Sequence, residues 1–178
     1  MKVERTRLPD VFVVYPDVHA DARGWFYESF NAETFYEHTG LSPVFVQQNH
    51  VYSEHAGTLR GMHMQTAPHA QAKLVSCISG AIYDVVVDVR EGSDTYGEWA
   101  GTVLNAAGSA QIYIPEGFLH GYVTLIGHTQ VRYSVTDTYH PECCVTVRHN
   151  DPAFGIIWKE QAKYISDADR SAPDFAVK

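Results

Sequence analysis

The stretch "TLRGMHMQTAPHAQAKLVSCISGAIYDVVVDV" (residues 58–89) decides how this chain folds. It divides into three short runs, 58–65, 72–79 and 81–89. The first alternates apolar with other residues, and the other two are rich in β-branched side chains, which suit a pleated, half-buried surface. A Ser-Gly turn at 79–80 separates the last two. The same pattern predicts strands over 11–15, 25–30, 42–53, 98–104, 110–114, 121–126 and 129–139, with Gly-, Pro- and Asn-containing turns between them. One helix is predicted over "AETFYEHT" (32–39), where Asn31 can cap the start and Gly40 the end. The polar tail, 159–178, is expected to wrap the surface with a helical turn or two. The expectation is an all-β sandwich or barrel, in a single domain over residues 1–178.

Composition bounds the partners. The chain has 178 residues, 45% apolar and 19% charged, with a formal net charge of -8. That charge argues against a general nucleic-acid or anionic-membrane surface, although a few arginines can still form a local phosphate pocket. Three cysteines, Cys77, Cys143 and Cys144, make no disulfide framework, and free thiols point to a reducing compartment. No secretory signal is visible at the start, and no apolar run is long enough to span a bilayer, so a cytoplasmic location is expected.

Period-two alternation then sorts the strand faces. His63 falls on the face of Leu59, Gly61 and Gln65. Lys73 shares a face with Val75 and Cys77, and Tyr133 with Val131 and Val135. Polar side chains on apolar faces are costly to bury unless paired or used. His63 alone could be a metal ligand, a base or a core histidine. Tyr133 alone reads as core, Lys73 as an edge residue with an extended stem, and Arg60 as an ordinary ion-pair partner. His19, His38, His55, His128, His140 and His149 read as surface residues. The three together carry matched acid–base chemistry that a barrel interior would gather.

"PEGFLHG" (115–121) resembles the second signature of the cupins, the double-stranded β-helix or jelly-roll proteins. Gly57 and His63 resemble the start of the first cupin signature. Gln65 stands where that signature has a second ligand histidine, and His69 and Ala70 stand where it has a glutamate. Two remaining histidines, His63 and His120, do not make a metal site, which needs three or more convergent ligands. No metal and no cofactor are therefore expected.

A narrower resemblance covers nearly the whole chain. "DARGWFYESF" (21–30), "FVQQNHVYS" (45–53), "RGMHMQ" (60–65), "QAKLVSCISGAIYDVVVDVREGSDTYGEW" (71–99), "QIYIPEGFLHGYVTL" (111–125), "YSVTDTYHPE" (133–142) and "NDPAFGIIW" (150–158) follow one another as in the dTDP-4-dehydrorhamnose 3,5-epimerase family. The resemblance implies a metal-free cupin jelly roll, usually a homodimer, acting on a dTDP-linked 4-keto-6-deoxyhexose. In that reading His63 is the base, Lys73 lies near the developing enolate oxygen, Tyr133 is the acid on the opposite face, and Asp169 orients His63. A nearby lysine is expected to lower the Tyr133 pKa. Arg23 and Arg60 would hold the pyrophosphate through bidentate contacts. Glu28, Gln47 and Asn49 would contact the nucleoside, and His120 the sugar or phosphates. Arg23 and Glu28 could serve the neighbouring subunit's site.

The implied activity is inversion at C3 and C5 of dTDP-4-dehydro-6-deoxy-D-glucose to give dTDP-4-dehydro-L-rhamnose. A 3- or 5-monoepimerase, or an epimerase of another nucleotide-linked 4-keto sugar, would use the same His–Lys–Tyr set. A metal-dependent cupin oxygenase would need the missing ligands, and a non-catalytic sugar-binding cupin would not need the three residues together. Cys143 and Cys144 depart from the acidic and small residues common at those positions in the family.

Overall fold

A computed structural model describes residues 1–176. The elements run β1 Lys2–Arg5, β2 Phe12–Tyr15, β3 His19–Asp21, β4 Gly24–Phe26, α1 Ala32–Thr39, β5 Gln47–Ser53, β6 Thr58–Gln65, β7 Lys73–Ser79 and β8 Ala81–Asp88. They continue with β9 Trp99–Asn105, β10 Gln111–Ile114, β11 Phe118–Thr124, β12 Thr129–Val135, a 3₁₀ turn at Pro141–Cys143, β13 Cys144–Thr146, β14 Tyr164–Ile165 and α2 Asp167–Arg170. Two sheets form a jelly roll. One has the order β1-β2-β10-β7-β12-β5, the other β13-β6-β11-β8-β9, and β3-β4 is a separate hairpin.

Strand alternation divides the apolar side chains into three layers. Val75, Ile82, Val86, Ile112, Phe118 and Val131 meet between the sheets. Phe12, Leu74 and Tyr113 lie on the outer face of the first sheet, where Phe35 of α1 covers them. Tyr83, Val85, Val87, Leu119 and Val123 lie on the outer face of the second, under Phe154 and Trp158. Helix α1 begins and ends where its residue types require. The Asn31 side chain accepts from the Thr34 N–H, and Gly40 closes the helix at φ 76°.

Three expectations need correction. Residues 42–46 and 27–30 lie outside strands, so the runs at 42–53 and 25–30 are only partly extended ladder. Pro43 lacks an N–H to donate to a ladder. His149 is half-buried, with Nδ1 buried and unpartnered. The third correction concerns β6. Arg60 pairs with Tyr122 and His63 with His120, so Gly61 and Met62 together face the single residue Gly121. This is a β-bulge, and one extra residue reverses the parity of the strand beyond it. Leu59 and Met62 therefore share the outer apolar layer, while Arg60 and His63 share the inner face. His63 does not lie on the face of Leu59. Glycine permits the bulge: Gly61 sits at φ +125°, and a Cβ there would lie 2.5 Å from Gly121 Cα.

Candidate active site

A cavity of about 800 Å³ opens between the sheets, lined by Arg60 and His63 of β6, Lys73 of β7, His120 and Tyr122 of β11, and Tyr133 of β12. Gln47 and Asn49 of β5 complete one wall. Gln47 donates to the Asn49 side chain at 2.9 Å, and Asn49 is the ladder partner of Tyr133.

The C-terminal segment supplies Asp169. β14 runs parallel to the start of β6, pairing Tyr164 with Thr58 and Ile165 with Leu59. The chain then turns into α2, capped by Ser166 Oγ, which accepts from the Asp169 N–H at 3.1 Å. That path sets the Asp169 carboxylate 2.6 Å from His63 Nε2. Its second oxygen accepts from the Gly61 N–H at 3.3 Å, so the bulge also helps place the carboxylate. Asp169 is 5% exposed. Burial lowers the His63 pKa below 6.5, Asp169 opposes that, and the Lys73 and His120 charges add to it. The ring is therefore neutral at pH 7, with one nitrogen held by carboxylate, as a base should be.

Lys73 is buried at the first position of β7, and its Nζ donates to the His63 carbonyl at 3.3 Å. Burial pulls its pKa down to about 8, with Asp84 acting in the opposite direction. Tyr133 is half-buried. Its pKa is raised by burial, while the guanidinium of Arg60 acts to lower it. The expectation of a lysine-lowered tyrosine is thus corrected: the nearby cation is Arg60, burial outweighs it, and the hydroxyl stays protonated at neutral pH.

The ladder sets His120 opposite His63. Its Nε2 lies 2.8 Å from Asp84 Oδ2, and Asp84 is fully buried. The sequence reading did not single out Asp84 or Tyr122. The signal was present in "AIYDVVVD", where an aspartate shares the inner face with Ile82 and Val86. Tyr139 and Cys144 also line the cavity. Gln65 lines the cavity as well, but its side chain is committed to the backbone. Its side-chain amide donates to the carbonyls of His69 and Thr138, and its oxygen accepts from the His140 N–H.

Two expected contacts lie elsewhere in the chain. Arg23, on the β3–β4 hairpin, has a 90% exposed side chain paired with Asp21 at 2.6 Å. Glu28 accepts from Asn31 Nδ2 at 3.4 Å. Neither lines the cavity.

A family model described as dTDP-4-dehydrorhamnose 3,5-epimerase matches residues 5–177. The chain belongs to that family. The dTDP-4-dehydrorhamnose 3,5-epimerase of Salmonella typhimurium is 43% identical over 174 residues, spanning 97% of this chain and 94% of the relative. The Bacillus anthracis enzyme of the same name, solved with TDP and PPi bound, superposes with a TM-score of 0.94 at 40% identity, covering 98% and 99% of the two chains. A 3'-monoepimerase from Streptomyces bikiniensis, solved with dTDP-quinovose, superposes at 0.87 and 32% identity, covering 95% and 85%. The chain's fold is thus shared by enzymes named as 3,5-epimerases and by one named as a 3'-monoepimerase.

Proposed function

We propose that this chain, acting as a single domain, epimerises dTDP-4-dehydro-6-deoxy-D-glucose at C3 and C5, giving dTDP-4-dehydro-L-rhamnose through enolates. The observation that carries this reading is the neutral His63, held 2.6 Å from Asp169, in one cavity with buried Lys73 and protonated Tyr133. A carbon acid beside a ketone gives up its proton only to a positioned base, with the enolate oxygen stabilised as it forms. His63 takes the proton. Lys73, a desolvated ammonium close to its own titration point, donates to the ketone oxygen. Tyr133 returns a proton to the other face. Asp169 holds the His63 tautomer and stabilises the imidazolium, a role parallel to a triad carboxylate. Arg60 holds the pyrophosphate, Gln47 and Asn49 contact the nucleoside, and His120, held by Asp84, contacts the sugar or phosphates.

Arg23 and Glu28 act in the site of a second copy. Their distance from the cavity supports a homodimer, as do Trp25 and Phe26 on the same hairpin, 66% and 65% exposed. Among the described residues no helix is long and apolar enough to cross a membrane. Free cysteines fit the reducing cytoplasm proposed for the enzyme.

Incubation with dTDP-4-keto-6-deoxyglucose in deuterated water tests the reading. Deuterium at both C3 and C5 with inverted product is the expected result. Label and inversion at one carbon would replace it with the monoepimerase reading. Absence of label would leave a sugar-binding cupin.

A further inference from the structure

Beside the cavity, the chain gathers a second group of metal-competent side chains. His69, in the turn between β6 and β7, and His140, after β12, stack face to face, their centroids 3.4 Å apart and planes 6° from parallel. Donor atoms of His69, His140 and Glu142 all lie within 4.8 Å of one another. His69 Nδ1 lies 2.9 Å from Asp137 Oδ2. His140 Nδ1 lies 3.1 Å from Glu142 Oε1, and its Nε2 lies 3.2 Å from Thr138 Oγ1. None of these side chains has a part in the proposed epimerisation.

We propose that His69, His140 and Glu142 form a site for one zinc-class divalent cation, with Asp137 as the carboxylate that orients His69. Imidazole and carboxylate donors suit zinc and its transition-metal neighbours, whereas magnesium and calcium want oxygen alone. The Asp137 contact occupies Nδ1 of His69 and leaves Nε2 to face a metal, the usual arrangement behind a metal-bound histidine. Tetrahedral zinc holds its donors about 3.4 Å apart, given bonds near 2.0–2.1 Å. Closing from the present spacing needs one ring to tilt out of the parallel stack. Both rings are on half-exposed segments that can allow it. The exposed side leaves a fourth position to water.

The site would join two segments that already meet through Gln65. Buried Gln65 bonds the backbone of His69, Thr138 and His140. Between Thr138 and Cys144 the chain carries Tyr139 and Cys144 into the cavity wall. A cation at His69, His140 and Glu142 therefore stiffens that wall without touching the reacting groups. It uses neither His63 nor His120, the two histidines that match the cupin signatures, although His69 stands where the first signature has its glutamate.

Zinc titration of chelator-stripped protein tests this without any sugar nucleotide. Calorimetry should show one zinc per chain, unaffected by excess magnesium or calcium, and zinc should raise the thermal midpoint. Glu142→Gln, at an exposed side chain where folding is not at risk, should weaken binding at least tenfold. His140→Gln should do the same. Asp137→Asn should weaken it about 10- to 100-fold, the usual effect of losing an orienting partner. His128→Ala, remote from the cluster, should leave it unchanged. Affinity insensitive to Glu142→Gln and His140→Gln, weak binding spread over many histidines, or binding lost with Cys144→Ser instead, would each overturn the assignment.

Discussion

His63 and His120 stand directly opposite each other across β6 and β11, and each ring has its own carboxylate, Asp169 at 2.6 Å and Asp84 at 2.8 Å. The two pairs are built differently. Asp84 lies within a central strand and holds His120 as part of the sheet. Asp169 arrives from the C-terminal segment, so the orientation of His63 depends on the docking of β14 and α2 against β6.

Asp169→Asn should therefore act on the base itself. Burial depresses the His63 pKa and Asp169 counters it. Without the carboxylate charge the pKa falls further, and the neutral imidazole becomes a weaker, less oriented base. The acid limb of kcat/KM in the wild type is expected below pH 6.5. In Asp169→Asn that limb should move to still lower pH while the plateau above it drops by on the order of a hundredfold or more. A limb moving to higher pH would contradict the assigned electrostatics.

Base and acid can be separated by isotope exchange. His63→Ala should lose both solvent exchange and inversion, because no enolate forms. Tyr133→Phe should keep some exchange while inversion falls by on the order of a hundredfold, since only the opposite-face donor is gone. Deuterium incorporation by NMR, read beside product stereochemistry, measures both. Wild-type exchange in His63→Ala, with none in Tyr133→Phe, would reverse the two roles.

Lys73 should cost the fold stability that catalysis uses. Its folded pKa, near 8, lies below the ordinary 10.5 because burial disfavours the cation. Between those values the unfolded chain binds more protons, so stability rises with pH across that window. Below pH 8 the penalty is fully present. Lys73→Met keeps the bulk and removes the charge, and should raise stability by about 1–3 kcal/mol at pH 7 while epimerase activity falls. Denaturant melts of both proteins at pH 7 and pH 10 check the sign, with the gain shrinking at the higher pH.

The β6 bulge should tolerate no side chain at its centre. Gly61→Ala sets a Cβ 2.5 Å from Gly121 Cα at φ +125°, a strained conformation costing on the order of 1–3 kcal/mol. Gly121→Ala meets Met62 Sδ at 2.7 Å. Both variants should melt earlier. Gly61→Ala should also lose activity beyond its loss of folded protein, because the bulge sets where His63 points. Normal turnover per folded molecule would refute that link.

Complementation tests the shared site. His63→Ala and Arg23→Ala proteins should each be impaired, Arg23→Ala chiefly in KM. Mixed under subunit exchange, they should recover about a quarter of wild-type activity, since half the dimers are mixed and each has one intact site of two. No recovery in verified mixed dimers would place Arg23 outside the partner's cavity.

Much of this architecture was legible from local chemistry. Alternating runs with Gly and Pro turns announced an all-β fold of short strands, and Asn31 and Gly40 marked both ends of α1. Val75 and Val131 carried Lys73 and Tyr133 to the inner face through simple alternation. His63 was different. Strict alternation grouped it with Leu59 and put Arg60 on the opposite face, whereas the bulge brings Arg60 and His63 to one cavity. A bulge forms only where two strands meet, here because Gly61 and Gly121 allow their backbones to approach closely. Neither glycine announces that meeting alone. The Asp84–His120 and Asp169–His63 pairs likewise join residues 36 and 106 positions apart. Residue type and period could say which side chains were fit for acid–base chemistry. Only the packing of distant strands could decide which of them share a cavity, because hydrogen bonds and burial depend on separation in space.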